Sequence, residues 1–101
     1  MRYNQLRGAL IGNLEARGLV EDVYRDKVEE YMDLWVRRQE LERDLTERGT
    51  QVMDEKRGMM VENRSMSLEV QVSKQMLAIF AALGFKDISA NAVPMDGGDE
   101  L

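Results

Sequence analysis

The pattern of apolar and polar positions along the chain predicts helices separated by glycines. The first helix, residues 3–17, places apolar side chains at the spacing of one helical face: Tyr3, Leu6, Leu10 and Leu14. Gly18 follows where a C-terminal cap belongs. The second helix, residues 22–48, contains neither Gly nor Pro and is the strongest prediction in the sequence, with Asp22 as its expected N-cap and Gly49 after its last residue.

The second helix is too long to be buried in a domain of this size. Its 27 residues span about 40 Å, whereas a compact chain of 101 residues, with a radius of gyration of about 13 Å, is roughly 34 Å across. Its outer half, residues 37–48, is mostly charged and contains only two leucines. We therefore expect this half to protrude or to meet another chain, with the pairs Asp33 with Arg37 and Asp44 with Arg48 on its exposed face.

Residues 50–62 read as a β-hairpin between the two long helices. Two short β-compatible runs, 50–53 and 59–61, flank a five-residue turn that ends in Gly58. The hairpin contains three methionines that are hard to bury in a small monomer: Met53, Met59 and Met60. Their pattern leaves packing within the chain and contact with a second subunit or a partner about equally open.

A third amphipathic helix, residues 66–84, is much more apolar than the second and should form the other wall of the core. Ser65 or Ser67 is the expected N-cap and Gly84 the expected C-cap. Its apolar stripe consists of Leu68, Val72, Met76, Ile79 and Leu83, widened by Leu77 and Phe80. The fold class is therefore mainly α: a long antiparallel helical hairpin with a short N-terminal helix and a small β-hairpin between the long helices.

Length and charge indicate one domain followed by a tail. Residues 1–86 form a single helical domain, and residues 87–101 are expected to be an acidic, flexible tail. The formal charge is −5, from 14 Lys and Arg against 19 Asp and Glu. Four of these acids lie in the tail, so the domain itself has a charge of only −1. Nonspecific attraction of the whole surface to DNA or anionic membranes is therefore not expected.

The residue types present argue against an enzyme. The chain has no Cys and no His, which removes thiol nucleophiles, thiolate metal sites and the commonest general base. No phosphate-binding or nucleophile motif is present, so no cofactor is expected. Four acids on the second helix could bind Mg²⁺, but a solvated charged face is the favoured interpretation: Asp26, Glu29, Glu30 and Asp33. Without an apolar run of membrane-spanning length or a leader peptide, the chain is expected in the cytoplasm.

Two further groups of side chains have both a functional and a structural interpretation. Tyr24, Tyr31 and Trp35 could stack on nucleobases, but their helical spacing favours core packing. Five basic residues are candidate contacts to DNA phosphates: Arg37, Arg38, Lys56, Arg57 and Arg64. Neighbouring acids dilute their charge, so direct binding of duplex DNA by one chain is the less favoured interpretation.

The order of features along residues 10–86 resembles the P27 family of phage terminase small subunits. The likeness rests on a short helix ending in the run Leu14 to Leu19, a long helix containing Asp26 and Tyr31, a break at Gly49, Asn63 after the hairpin, and a helix closing on Leu83, Gly84 and Phe85. Two departures are that Arg64 replaces the usual Pro after Asn63, and that the segment after Gly84 lacks the usual Pro and Arg pair.

The resemblance implies a non-enzymatic subunit of a phage or prophage DNA-packaging motor. Such a subunit would assemble into a homo-oligomeric ring, recognise viral DNA and regulate the large terminase subunit, which supplies the catalysis. Assembly or packing would be carried by Tyr31, Trp35, Leu41, Leu45, Ile79 and Phe80. The alternative is a helical-hairpin adaptor that binds a protein partner and no nucleic acid.

Overall fold

The fold was obtained as a computed structural model, which describes residues 2–85. The elements in chain order are α1 (Tyr3–Ala16), α2 (Asp22–Arg48), β1 (Gln51–Asp54), β2 (Met59–Glu62) and α3 (Ser65–Ala82). The two strands form an antiparallel sheet between the long helices, so the predicted fold class is confirmed. The predicted acidic tail, residues 87–101, lies outside the described residues.

A glycine-dependent turn reverses the chain after α1. The Gly18 N–H donates to the carbonyl of Glu15 and the Leu19 N–H to the carbonyl of Leu14, each at 2.9 Å. This pair of bonds is a Schellman motif, which requires a left-handed residue, and Gly18 has a φ of 78°. Because the turn is short, α1 folds back along the first half of α2.

The start of α2 differs from the prediction by one residue. Glu21, with an extended backbone, is the N-cap, and Asp22 is already helical. Asp22 therefore contributes by placing a carboxylate in the first turn, where the helix dipole favours negative charge. At the other end Asp44 and Arg48 pair at 2.6 Å as predicted. Asp33 and Arg37 do not pair among the ion pairs of residues 2–85, since both side chains point into solvent.

The hydrophobic core lies where α1, the first half of α2 and the end of α3 meet. It is formed by Leu10, Leu14, Val28, Met32 and Leu83. Two ion pairs tie α1 to α2 at the edge of this core: Arg7 with Glu29, and Arg25 with Glu15. The α2 and α3 helices run antiparallel and are called the stem below. Beyond α1 the outer half of α2 packs mainly on α3, which gives the molecule a long axis of 56 Å and a radius of gyration of 17.9 Å.

The hairpin between the stem helices has a tighter turn than predicted. Asp54 pairs with Met59, so the loop contains four residues, 55–58, rather than five. The Asp54 carboxylate accepts the N–H groups of Lys56 and Arg57, and its carbonyl accepts the N–H of Gly58 at 2.7 Å. These bonds satisfy the loop backbone locally, as Asp commonly does in turns.

The start of α3 also departs from the prediction, because neither Ser65 nor Ser67 is the cap. Ser65 is the first helical residue and donates its N–H to the side-chain oxygen of Asn63 at 3.0 Å. Ser67 donates its hydroxyl to the carbonyl of Arg64 instead. The helix ends at Ala82, and Gly84, with a φ of 80°, lies in a second Schellman motif. In residues 2–85 no helix is long and apolar enough to cross a membrane.

Candidate functional site

A hydrogen-bonded cluster, called the latch below, joins the end of α2 to the start of α3. It consists of Asp44, Gly49, Asn63 and Ser65. The Asn63 amide, 1% exposed, donates to the Asp44 carboxylate at 3.0 Å and to the Gly49 carbonyl at 2.9 Å. The Ser65 hydroxyl donates to the same carboxylate at 2.7 Å. The latch therefore satisfies the buried amide and fixes how α3 leaves the hairpin.

The negative charge of Asp44 is stabilised by hydrogen bonds from three neighbouring side chains. Its carboxylate accepts bonds from Arg48, Ser65 and Asn63, and these bonds, named in decreasing order of their effect, hold its pKa far below the usual range. The pKa of Arg48 is raised in return. The latch thus favours the ionised form of Asp44.

A second charged cluster, called the mid-stem cluster below, bridges the middle of the stem. It consists of Arg38, Glu42 and Glu69. The Arg38 Nε lies 3.3 Å from a Glu42 oxygen and 3.9 Å from a Glu69 oxygen, so two acids share one guanidinium. A hydrogen bond with Glu42, followed by burial, raises the pKa of Glu69. Two carboxyl groups can bond to each other only when one carries a proton. Glu42 and Glu69 therefore repel each other when both are ionised.

The five predicted DNA contacts do not form one patch. Arg38 is occupied by the acids of the mid-stem cluster, and Arg57 pairs with Asp54 at 3.1 Å. Arg37, Lys56 and Arg64 are exposed and take part in none of the ion pairs within residues 2–85. Arg37 lies on α2, Lys56 in the hairpin loop and Arg64 at the start of α3. A single chain thus presents three separated cations rather than a continuous basic surface.

Four of the six residues predicted to serve packing or assembly lie at the edge of the core. Tyr31 packs against Phe80 and Trp35 against Tyr3, each with ring centroids 6.0 Å apart, and Ile79 contacts the same core. Burial raises the pKa of Tyr31. The other two, Leu41 and Leu45, are half-buried on the outer half of α2.

The hairpin exposes the methionines that the sequence left unassigned. Met53 pairs with Met60 across the strands, and Gln51 pairs with Glu62, so these four side chains share one face, called the outer face below. Met53 is 56% and Met60 50% exposed. Val52 and Val61 lie half-buried on the opposite face. The hairpin thus carries an apolar pair that no described part of the chain covers.

A groove lies at the other end of the stem, between the start of α2 and the end of α3. It has a volume of about 290 Å³ and is lined by Val23, Tyr24, Lys27, Ala78, Ala82 and Leu83. We call it the base groove. Val23 at its rim is 60% exposed. Small alanines on α3 make this groove, because their side chains leave the space between the helices unfilled.

Two of the four acids of α2 that could have bound Mg²⁺ form ion pairs instead. Glu29 accepts from Arg7, which lowers the pKa of Glu29, and Glu30 accepts from Lys27 at 3.1 Å. Within residues 2–85, no group of three acids could hold a metal ion.

The roles of Asn63 and Asp44 were not predicted. An Asn just before an amphipathic helix is a recognised capping signal, but the adjacent serines are equally good candidates by sequence. The base groove has no sequence signal, because its alanines read simply as good helix formers.

The sequence of this chain matches a known protein family. Residues 5–100 match the family described as phage terminase, small subunit. The match covers nearly the whole chain, and the protein therefore belongs to the phage terminase small subunit family. No curated protein and no solved structure matches the chain.

We predict that Asn63→Ala lowers the free energy of unfolding by about 1 to 3 kcal/mol, because the substitution leaves buried latch groups without partners. Urea denaturation followed by circular dichroism measures this change. Asn13→Ala is the matched control, since Asn13 is exposed and accepts only from Arg17, and its effect should stay within about 0.5 kcal/mol. Equal losses for the two variants would contradict the role of the latch.

The two acidic clusters should affect the pH dependence of stability with opposite signs. The lowered pKa of Asp44 gives a contribution that is present above its unfolded pKa of about 3.9 and lost as the pH falls through the folded value. The raised pKa of Glu69 gives a contribution that is present below about pH 4.3 and lost as the pH rises through the folded value.

The midpoint of unfolding, measured as a function of pH, tests the sign of each of these two contributions to stability. Asp44→Asn should flatten the acid limb of the profile, and Glu69→Gln should flatten the region just above pH 4 and stabilise the protein at neutral pH. Glu40→Gln, at an exposed position of α2, is the control and should leave the profile unchanged. If Glu69→Gln instead lowered the stability at neutral pH, the proposed repulsion between Glu42 and Glu69 would be wrong.

Proposed function

We propose that this protein is a non-catalytic, P27-type small subunit of a phage or prophage DNA-packaging motor. It assembles into a homo-oligomeric ring through the helical domain, residues 1–86, recognises viral DNA and regulates the large terminase subunit. Its place of action is the cytoplasm of the host bacterium. The match of residues 5–100 to the small-subunit family carries this proposal.

The shape of the chain supports self-assembly. Within residues 2–85, α1 covers only the base of the stem, because its first residue, Tyr3, packs against Trp35 and the helix runs from there towards the base. Beyond Trp35, α2 and the hairpin expose apolar side chains, among them Val36, Met53 and Met60. Isolated apolar side chains are ordinary on a surface, but an uncovered methionine pair on a narrow hairpin is typical of a contact site.

The charge distribution supports DNA contact through an array rather than through one chain. Arg37, Lys56 and Arg64 offer three cations to a phosphate backbone. A ring repeats each of them in every subunit, so weak contacts add up around the DNA. Each phosphate neutralised releases counterions, which makes such binding strongly dependent on salt.

The chemistry of the motor belongs, in this proposal, to the large subunit. The chain has no Cys or His, and in residues 2–85 its most strongly perturbed carboxylate, Asp44, is saturated by structural hydrogen bonds. The small subunits of this family are generally the non-catalytic component. The role left to this chain is recognition and regulation.

A protein–protein adaptor that binds no DNA is the second candidate. It is favoured by the ion pairs of Arg38 and Arg57, which place acids beside two of the five predicted cations. The adaptor and the terminase role differ in their dependence on DNA, so the experiments below separate them.

We predict an oligomer larger than a dimer at micromolar concentration. Light scattering coupled to size-exclusion chromatography measures the mass directly, against 11.6 kDa for one chain. A monomer that persists across the concentration range would contradict ring assembly.

We predict that the oligomer binds duplex DNA and that the affinity falls steeply with salt. The triple variant Arg37→Gln, Lys56→Gln, Arg64→Gln should reduce the slope of log affinity against log salt by about 3 for each chain that contacts the DNA. Fluorescence anisotropy of labelled DNA measures the slope. The control triple variant, Arg2→Gln, Arg43→Gln, Lys74→Gln, removes the same charge at other exposed positions. Equal effects would contradict these contacts, and absence of binding would favour the adaptor.

A further inference from the structure

Two apolar features that nothing else within residues 2–85 covers lie at opposite ends of the stem. The outer face of the hairpin, with Met53 and Met60, follows the C-terminal end of α2. The base groove lies beside Lys27, near the N-terminal end of the same helix. Between Lys27 and Arg48 the helix rises about 32 Å. One copy of the chain therefore cannot place its own hairpin in its own groove.

We propose that the outer face of the hairpin of one copy docks in the base groove of the next copy. This inference rests on the proposed self-assembly and names the surfaces that carry it. The hairpin supplies two long, flexible thioether side chains, which adapt to an irregular cavity. The groove supplies an open apolar space walled by Val23, Ala78 and Ala82.

The charges at the two surfaces are complementary. Glu62 lies on the outer face with the methionine pair, and it is exposed without an ion pair in the described part of the chain. Lys27 lines the base groove, where its only ion pair is a half-exposed one with Glu30. A docked hairpin brings Glu62 towards Lys27, so each apolar contact is accompanied by attraction between opposite charges. A second copy is therefore a better occupant than a basic partner.

The positions of the two surfaces determine the kind of assembly. The contact joins different patches, so every copy uses one hairpin and one groove. Such head-to-tail contacts generate a closed ring when the rotation between copies closes, and a filament when it does not. A hairpin with two four-residue strands offers only one small face, so a single contact is expected to bury less than a standard interface of about 800 Å² per partner. Closure of the ring is then what stabilises the assembly, because it gives every copy two contacts.

Cysteine cross-linking tests the contact, since the chain has no Cys of its own. The variant Met60→Cys with Ala82→Cys should form, under mild oxidation, a ladder of disulfide-linked copies on a non-reducing gel. The matched control is Met59→Cys with Ala82→Cys. Met59 and Met60 are both 50% exposed but lie on opposite faces of the hairpin. The control should yield no ladder.

Charge reversal provides a second test that does not depend on oxidation. Glu62→Lys or Lys27→Glu alone should weaken assembly of the full chain by about threefold to fivefold, and the double variant should restore it. Sedimentation velocity across a concentration series measures this change. Glu47→Lys, at an exposed position on α2, is the control for an added positive charge.

The possible outcomes distinguish a failure of this particular contact from a failure of self-assembly in general. A ladder from the Met60 variant alone, with rescue by the double charge reversal, supports the contact. A wild-type oligomer that gives no ladder, or gives equal ladders from both variants, overturns the contact, leaves self-assembly standing and assigns the groove to another partner. A wild-type monomer overturns both.

Discussion

A single buried amide holds the outer end of the molecule together. Asn63 bonds at once to the last turn of α2, to the chain that enters the hairpin and to the first N–H of α3. The Asn63 amide itself is buried, so a bond that it fails to make costs free energy that water does not compensate. The antiparallel stem, the direction of the hairpin and hence the placement of its methionines all depend on this one side chain.

The stem is unevenly supported along its length. At its base three helices surround a core of Leu14, Val28 and Met32, whereas its outer half relies on α3, the latch and the mid-stem cluster. The latch favours an ionised Asp44, while the mid-stem cluster favours a protonated Glu69. Beyond the core, polar and charged contacts thus supplement a thinner apolar contact between α2 and α3, in which Val72 and Met76 are still buried. This arrangement suits a subunit whose outer end meets other molecules.

Membership of the small-subunit family gives these surfaces a context. The proposed packaging role involves contacts with further copies of the chain, with DNA and with the large subunit, and each of these contacts requires exposed rather than buried groups. The hairpin, the base groove and the exposed cations Arg37, Lys56 and Arg64 are such groups. They lie on different parts of the stem, so the three tasks can be separated by mutation.

The sequence by itself determined the helices, the hairpin and the fold class, because apolar spacing and glycine position are local properties that act within a few residues. The Gly18 and Gly84 turns, for example, follow from the need for a positive φ. Only the tertiary structure decided that the side chain of Asn63, rather than that of Ser65 or Ser67, accepts the first N–H of α3, since all three can accept such a bond and the choice depends on Asp44 and Gly49, which are remote in sequence. Tertiary structure likewise decided that Arg38 and Arg57 are paired with acids. It also decided that the two faces of the hairpin differ, although Met59 and Met60 are adjacent in sequence. The reason is that strand register and helix packing bring together residues that are distant along the chain.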